Sequence, residues 1–264
     1  METLLQSFPV FLLIFCRMTA FFVVSPVFSS RGVPSRFKIG IAGFISVLIY
    51  LIKGTAIKIP DGTDIYVLMV FREILIGLLL GYIAYLMFMV IQIAGSFIDI
   101  QIGLGIASVF DPMTGASAPV IGNFKYMFAM LIFLSMNGHH YLLQSVLYSY
   151  DWVPMNSDIV SQMLNGSLSE FLIRTFSNSF LIAFQMAAPL VVAMFLTDVG
   201  LGFLARSAPQ FNIFVIGVPV KLIVGLFVLM LLTPSFAFVF EHLFEQMFQA
   251  MQGLLQVLGK RPAS

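Results

Sequence analysis

Charged residues cut this chain into long apolar stretches. Residues 4–28 carry one charge, Arg17, and residues 39–52, 74–98, 126–150 and 175–197 carry none. Residues 213–232 carry only Lys221. A membrane-spanning helix needs about 20 apolar residues to cross a hydrocarbon core of roughly 30 Å. Five of the stretches reach that length. The sixth, 39–52, spans only if Arg36 and Lys38 snorkel or if protein buries it. The pattern predicts six hydrophobic helices.

A seventh element follows from periodicity. From Pro234 to Gly259, Phe236, Phe240, Leu243, Phe244, Met247, Phe248, Met251, Leu254, Leu255 and Leu258 recur at spacings of three and four. Glu241, His242, Glu245, Gln246, Gln249, Gln252 and Gln256 fill the opposite face. That is an amphipathic helix. Its polar face is Gln-rich and acidic, a poor match for anionic lipid, so its apolar face is expected to contact protein. The fold class is therefore all-α and membrane-associated.

The connections differ in character. Residues 29–38, 53–64 and 152–169 hold Pro and Gly and read as loops. Residues 95–125 are long, apolar and irregular, and Pro112, Gly115, Pro119 and Gly122 forbid a continuous helix through the second half. Such a segment at membrane depth must be buried in protein or line a cavity. His139 and His140 follow Asn137-Gly138, which places them at a helix bend.

Composition narrows the function. The chain is 60% hydrophobic and 9% charged, with a mean hydropathy of +1.02, against roughly 25% charge in a soluble domain. Disorder needs low hydrophobicity, and nucleic-acid binding needs a basic excess that a net charge of +1 does not supply. One cysteine, Cys16, precludes a disulfide framework. No basic region precedes the first apolar stretch, so a cleavable signal is not expected. Basic residues are balanced across alternate loops when Lys125 is counted as a loop charge, and the concentration in the first loop tilts slightly toward an outside N-terminus.

Candidate chemistry is sparse. No lysine is followed by Ser or Thr, so no phosphate-cradling loop exists. No serine, histidine or carboxylate constellation supports catalysis, and no cofactor or metal is expected. Arg17, Arg72, Glu73, Asp99, Asp198 and Lys221 lie in or beside apolar stretches and must face protein, a partner or water. Arg72 and Glu73 read as a membrane-edge pair. Lys221 has no acid within a helical turn, so its partner is distant in sequence or on another subunit. Gly77 and Gly81 are four apart and permit close helix approach. With Arg206, Phe240 and Phe244, all of these except Asp99 are the expected subunit contacts. An independent six-helix secondary transporter is the alternative reading, although a carrier concentrates such charges in two matched halves.

Four ordered blocks then carry a resemblance. The first joins Gly95, Ile98, Gln101, Gly103 and Leu104 to Phe110-Asp111-Pro112 and Pro119-Val120. The second is Leu131-Ile132-Phe133-Leu134 with Asn137-Gly138-His139. The third joins Arg206 and Ala208-Pro209-Gln210 to Asn212-Ile213-Phe214-Val215-Ile216-Gly217 and Pro219, and the fourth is Glu241-His242-Leu243-Phe244. The chain resembles the FliR family of type III secretion export-gate proteins, and its flagellar branch more closely than its virulence branch. Ser96, Ile102 and Lys221 depart from the family's usual Glu, Met and apolar residue.

The resemblance implies a gate shared with FliP and FliQ, contacts with FlhB and FlhA, and passage of unfolded flagellar proteins through the inner membrane at the flagellar basal body. It implies a FliP-like part, 1–174, and a FliQ-like hairpin, 175–264. It also implies a pore plug at about 108–122, formed by Ser108, Val109, Phe110, Asp111, Pro112, Met113, Thr114 and Gly115.

Overall fold

The computed structural model describes residues 2–29, 32–54, 62–104, 119–155, 166–210 and 212–259, with side chains described from Phe8 onward and not for Phe214. Among these residues there are seven α-helices and no strand. They are α1 (Glu2–Val24), α2 (Ser35–Lys53), α3 (Thr63–Ile102), α4 (Val120–Ser135), α5 (Gly138–Trp152), α6 (Ser167–Ser207) and α7 (Ile213–Leu258). The all-α membrane class agrees with the hydropathy pattern. By length and composition, α2, α3, α6 and α7 can each cross a membrane, and α4 with α5 forms a fifth candidate if the bent pair is one span.

Two boundaries moved in ways that physics explains. The apolar stretch 126–150 is not one straight helix. Asn137 adopts a left-handed backbone, φ 57°, and α4 and α5 meet at a 70° bend. Asparagine tolerates that conformation better than most residues, and the helix restarts at Gly138 as the Asn-Gly-His signal implies. Conversely, the stretch 213–232 and the amphipathic segment after Pro234 are one helix of 46 residues, with Pro219 and Pro234 inside it. A proline removes one backbone donor but is accommodated in a long apolar helix where neighbours constrain it.

The chain forms two compact units. One comprises Met1–Leu86, Asn137–Thr175 and Glu245–Ser264. Its core is Leu13, Ile14, Met18 and Phe21 of α1, Ile76 and Leu80 of α3, Leu142 and Val146 of α5, and Met247, Met251 and Leu254 of α7. The other comprises Met87–Met136 and Phe176–Phe244. Its core is aromatic: Phe88 meets Phe133 at 5.3 Å and Phe244 at 5.5 Å, Phe133 meets Phe244 at 4.8 Å, and Phe128 meets Phe240 at 6.3 Å. Offset and edge-to-face rings at such distances add to simple burial.

Helix exposure is uneven. In α3, 61% of the most apolar window is buried by the chain itself, against 17% in α2, 22% in α6 and 17% in α7. So α3 is an internal post, and the outer faces of α2, α6 and α7 need lipid or other protein to cover them. The C-terminal face reads differently from its expectation. Phe240, Phe244, Met247, Met251, Leu254 and Leu258 are all buried by their own chain. The apolar stripe of the amphipathic helix is used internally rather than offered to a partner.

Candidate functional site

Two buried polar clusters stand out, one in each unit. The first is built on Arg17, the lone charge of α1. Its guanidinium grips Glu73 of α3 bidentately: Nε donates to Oε2 at 2.6 Å and Nη2 to Oε1 at 2.9 Å. Nη1 donates to Ser149 Oγ of α5 at 2.9 Å, and Nη2 donates to the Val153 carbonyl at 3.2 Å. The plane lies 4.0 Å over the Tyr150 ring. Arg17 and Glu73 are 0% and 1% exposed. A planar, always-charged fork suits such a site better than an ammonium, because it satisfies two oxygens at fixed geometry while stacking on a ring. Arg72 is turned to the Pro154 carbonyl and lies 3.7 Å from Glu73. The expected Arg72–Glu73 edge pair is therefore secondary, and Glu73 belongs chiefly to Arg17.

The second cluster joins α3 to α4. Pro119 stands where an N-cap side chain would be and offers none. Asp99, one turn before the end of α3, supplies the missing acceptor. The Ile121 amide donates to both of its carboxylate oxygens at 3.1 Å, and the Gly122 amide donates to Oδ2 at 3.3 Å. These are the second and third amides of α4, the donors a cap normally satisfies. Asp99 is 3% exposed. The helices touch at Gly95 and Gly122, where a Cβ on Gly95 would collide with the Gly122 Cα. Gly103 then ends α3 with φ 98°, a left-handed exit that glycine adopts without strain. One carboxylate and one glycine contact thus pin together the two ends of the segment between α3 and α4.

Asp99→Ala should expose the value of this tie. Losing a charged acceptor for two buried amides costs about 1.5–3 kcal/mol. Amide hydrogen exchange at Ile121 and Gly122 should accelerate; unchanged exchange there would refute the capping role.

The other sequence candidates distribute as follows. Ser108, Val109, Phe110, Asp111, Pro112, Met113, Thr114 and Gly115 lie outside the described residues. Gly77 and Gly81, expected between subunits, receive α1 of the same chain: a Cβ on Gly77 would strike the Arg17 carbonyl and Ala20, and one on Gly81 would lie 3.0 Å from Val24 Cβ. Lys221 finds its distant partner within the chain, 2.6 Å from Asp198. Neither charge requires a neighbouring subunit for compensation. Phe240 and Phe244 are core residues, 0% and 2% exposed. Arg206 is exposed near the end of α6.

Lys125, a loop charge by the hydropathy pattern, is a fully buried residue of α4, its Nζ 4.7 Å over the Phe236 ring. It contributes nothing to a positive-inside count. The Arg17–Glu73 link was also missed. The only hint in the sequence is that Arg17 is the lone charge of its apolar stretch and Glu73, beside Arg72, borders another with the opposite sign.

With this geometry in hand, comparison with known proteins is informative. Residues 8–247 match the family described as bacterial export proteins, family 1. The flagellar biosynthetic protein FliR of Bacillus subtilis (strain 168) is 40% identical over 262 residues, 98% of this chain and 99% of that protein. The FliR of Escherichia coli (strain K12) is 32% identical over 242 residues, 92% of this chain and 91% of the relative. The Yop proteins translocation protein T of Yersinia pestis is 31% identical over 208 residues, 78% of each chain.

Proposed function

Because the chain belongs to family 1 of the bacterial export proteins, we propose that it is the export-gate subunit of a flagellar type III secretion apparatus. In this reading it helps to form the inner-membrane path for unfolded flagellar proteins at the basal body, and the segment 108–122 plugs that path at rest. The observation that carries the reading is the 40% identity that runs end to end with a flagellar FliR. FliP and FliQ are the proposed partners in one hetero-oligomeric gate, with FlhB and FlhA beside it. Residues 1–174 would be the FliP-like part and 175–264 the FliQ-like hairpin.

Several structural features support a subunit role. The outer faces of α6 and α7 carry large exposed apolar side chains, among them Phe195, Phe203, Phe227 and Phe238. Arg206 remains a candidate contact at the exposed end of α6. The tie between Asp99 and α4 supports a plug, since a loop whose ends are pinned can hold a fixed position without a hydrogen-bond ladder of its own. An independent transporter is not favoured. Its charges would need to converge on a solute, whereas Arg17, Glu73, Asp198 and Lys221 are matched to one another within the chain.

Deleting residues 113–116 tests the plug. The assembled gate should still be recovered with its partners, and ion leakage through cells or vesicles carrying it should rise. Unchanged leakage from an intact assembly would remove the plug from the proposal and leave the gate role standing.

A further inference from the structure

A cleft of about 330 Å³ lies between α5 and the C-terminal end of α7, both in the first unit. That volume is within the range of small-molecule sites. α5 lines it with Ser145, Tyr148 and Trp152, and α7 with Gln252, Leu255 and Gln256. Each set recurs every three or four residues, so one face of each helix forms a wall. Leu255 is buried, and both glutamines are exposed. Gly259, just past α7, lies so close to the Trp152 carbonyl that a Cβ there would collide with it. That contact fixes the separation of the two walls at one end.

The lining is polar but carries no charged side chain. A charged ligand would give up hydration there and meet no counter-charge. The ligand that fits is neutral and offers both donors and acceptors. Each glutamine carboxamide presents two donors and an acceptor oxygen, and among the described residues no hydrogen bond engages either one. Ser145 Oγ donates to the Tyr141 carbonyl at 2.8 Å, so its lone pairs can still accept. Gln252 and Gln256 are four residues apart, about 6 Å along α7. One edge of an extended polypeptide repeats every two residues, about 6.4–6.8 Å, and shows one N–H and one C=O at each repeat. Two carboxamides at that spacing match two successive backbone units, whatever side chains those units carry. Tyr148 and Trp152 add ring surface with a polar tip. Resting on the export reading above, we propose that this cleft holds a short extended segment of the exported chain by its backbone, on Gln252 and Gln256.

The test uses Trp152, the only tryptophan of the chain, in the purified full chain in detergent. The probes are two uncharged, tryptophan-free peptides of unrelated sequence, and the same peptides methylated at consecutive central backbone nitrogens. Both unmodified peptides should shift Trp152 emission, and the methylated ones should bind about ten-fold more weakly, the loss of one to two net hydrogen bonds. Gln252→Met with Gln256→Met should weaken the unmodified peptides by a similar factor. Gln249→Met, at an exposed glutamine outside the cleft, should not. Equal binding of methylated and unmodified peptides, or no response to either, overturns the site. A response to maltotriose in place of peptide also overturns it and assigns the cleft to a neutral sugar. In cells, the double variant should be recovered with FliP and FliQ as the parent is, yet export less; unchanged export removes the exported chain as the occupant. Should the parent itself fail to assemble with them, the gate reading falls and takes that occupant with it. A missing peptide response in a chain that does assemble removes the cleft alone.

Discussion

Replacing Glu73 with Ala should cost the folded chain about 3–5 kcal/mol, because it strands a buried guanidinium without its counter-charge. The reasoning rests on burial and geometry together. Arg17 is fully buried and Glu73 takes two of its donors. Ser149 and the Val153 carbonyl remain, but neither carries charge. In the detergent-solubilised protein, the midpoint of thermal aggregation should fall and protease resistance of α1 and α3 should drop. The informative companion is the double variant Arg17→Met with Glu73→Leu. Replacing a buried ion pair by well-packed apolar residues is often neutral or better, so most of the lost stability should return. Single and double variants that are equally unstable would show that the cluster matters for packing shape rather than charge balance. A Glu73→Ala protein as stable as the parent would remove the cluster from any structural role.

This cluster also shows where sequence reading stops. Arg17 and Glu73 are 56 residues apart, and nothing in helical periodicity brings α1 and α3 together. The neighbour Arg72 was the local choice, yet adjacent helical residues point about 100° apart and do not share a face. Patterns governed by local physics were legible. Charge gaps located the apolar helices, and Asn137-Gly138 marked the bend that the left-handed Asn137 produces. The break expected at Pro234 did not occur, because the surroundings of a helix, not its proline alone, decide whether it continues. The spacing of Gly77 and Gly81 allows close helix approach, and α1 approaches both. Their partner, α1 of the same chain, was not readable. The family blocks reached further than composition, since they set Gly95 and Gly103 before, and Pro119 after, a segment that the helix pattern left irregular; the Asp99 tie to Ile121 and Gly122 was not readable from them.

The same gap between pattern and partner governs the C-terminal helix, and Phe240 decides it. Phe240→Ala should destabilise the chain by about 3–5 kcal/mol, the usual cost of emptying a buried aromatic site. Phe240 is 0% exposed and lies 6.3 Å from Phe128 and 5.9 Å from Phe236. Phe244, 2% exposed, closes the same core against Phe88 and Phe133. The expected effect is on the chain alone, read as a lower unfolding midpoint in purified protein before any partner is added. Phe238, two residues away on the same helix, supplies the contrast, because it is 75% exposed. Phe238→Asp should leave the isolated chain's unfolding midpoint nearly unchanged and lower its recovery with the proposed partners FliP and FliQ. If Phe240→Ala left the isolated chain unaffected and reduced only partner recovery, the internal assignment of this face would be wrong. Of 29 phenylalanines in the chain, these two separate the uses of apolar surface here. One face holds the subunit together, and the other remains for the lipid or protein around it.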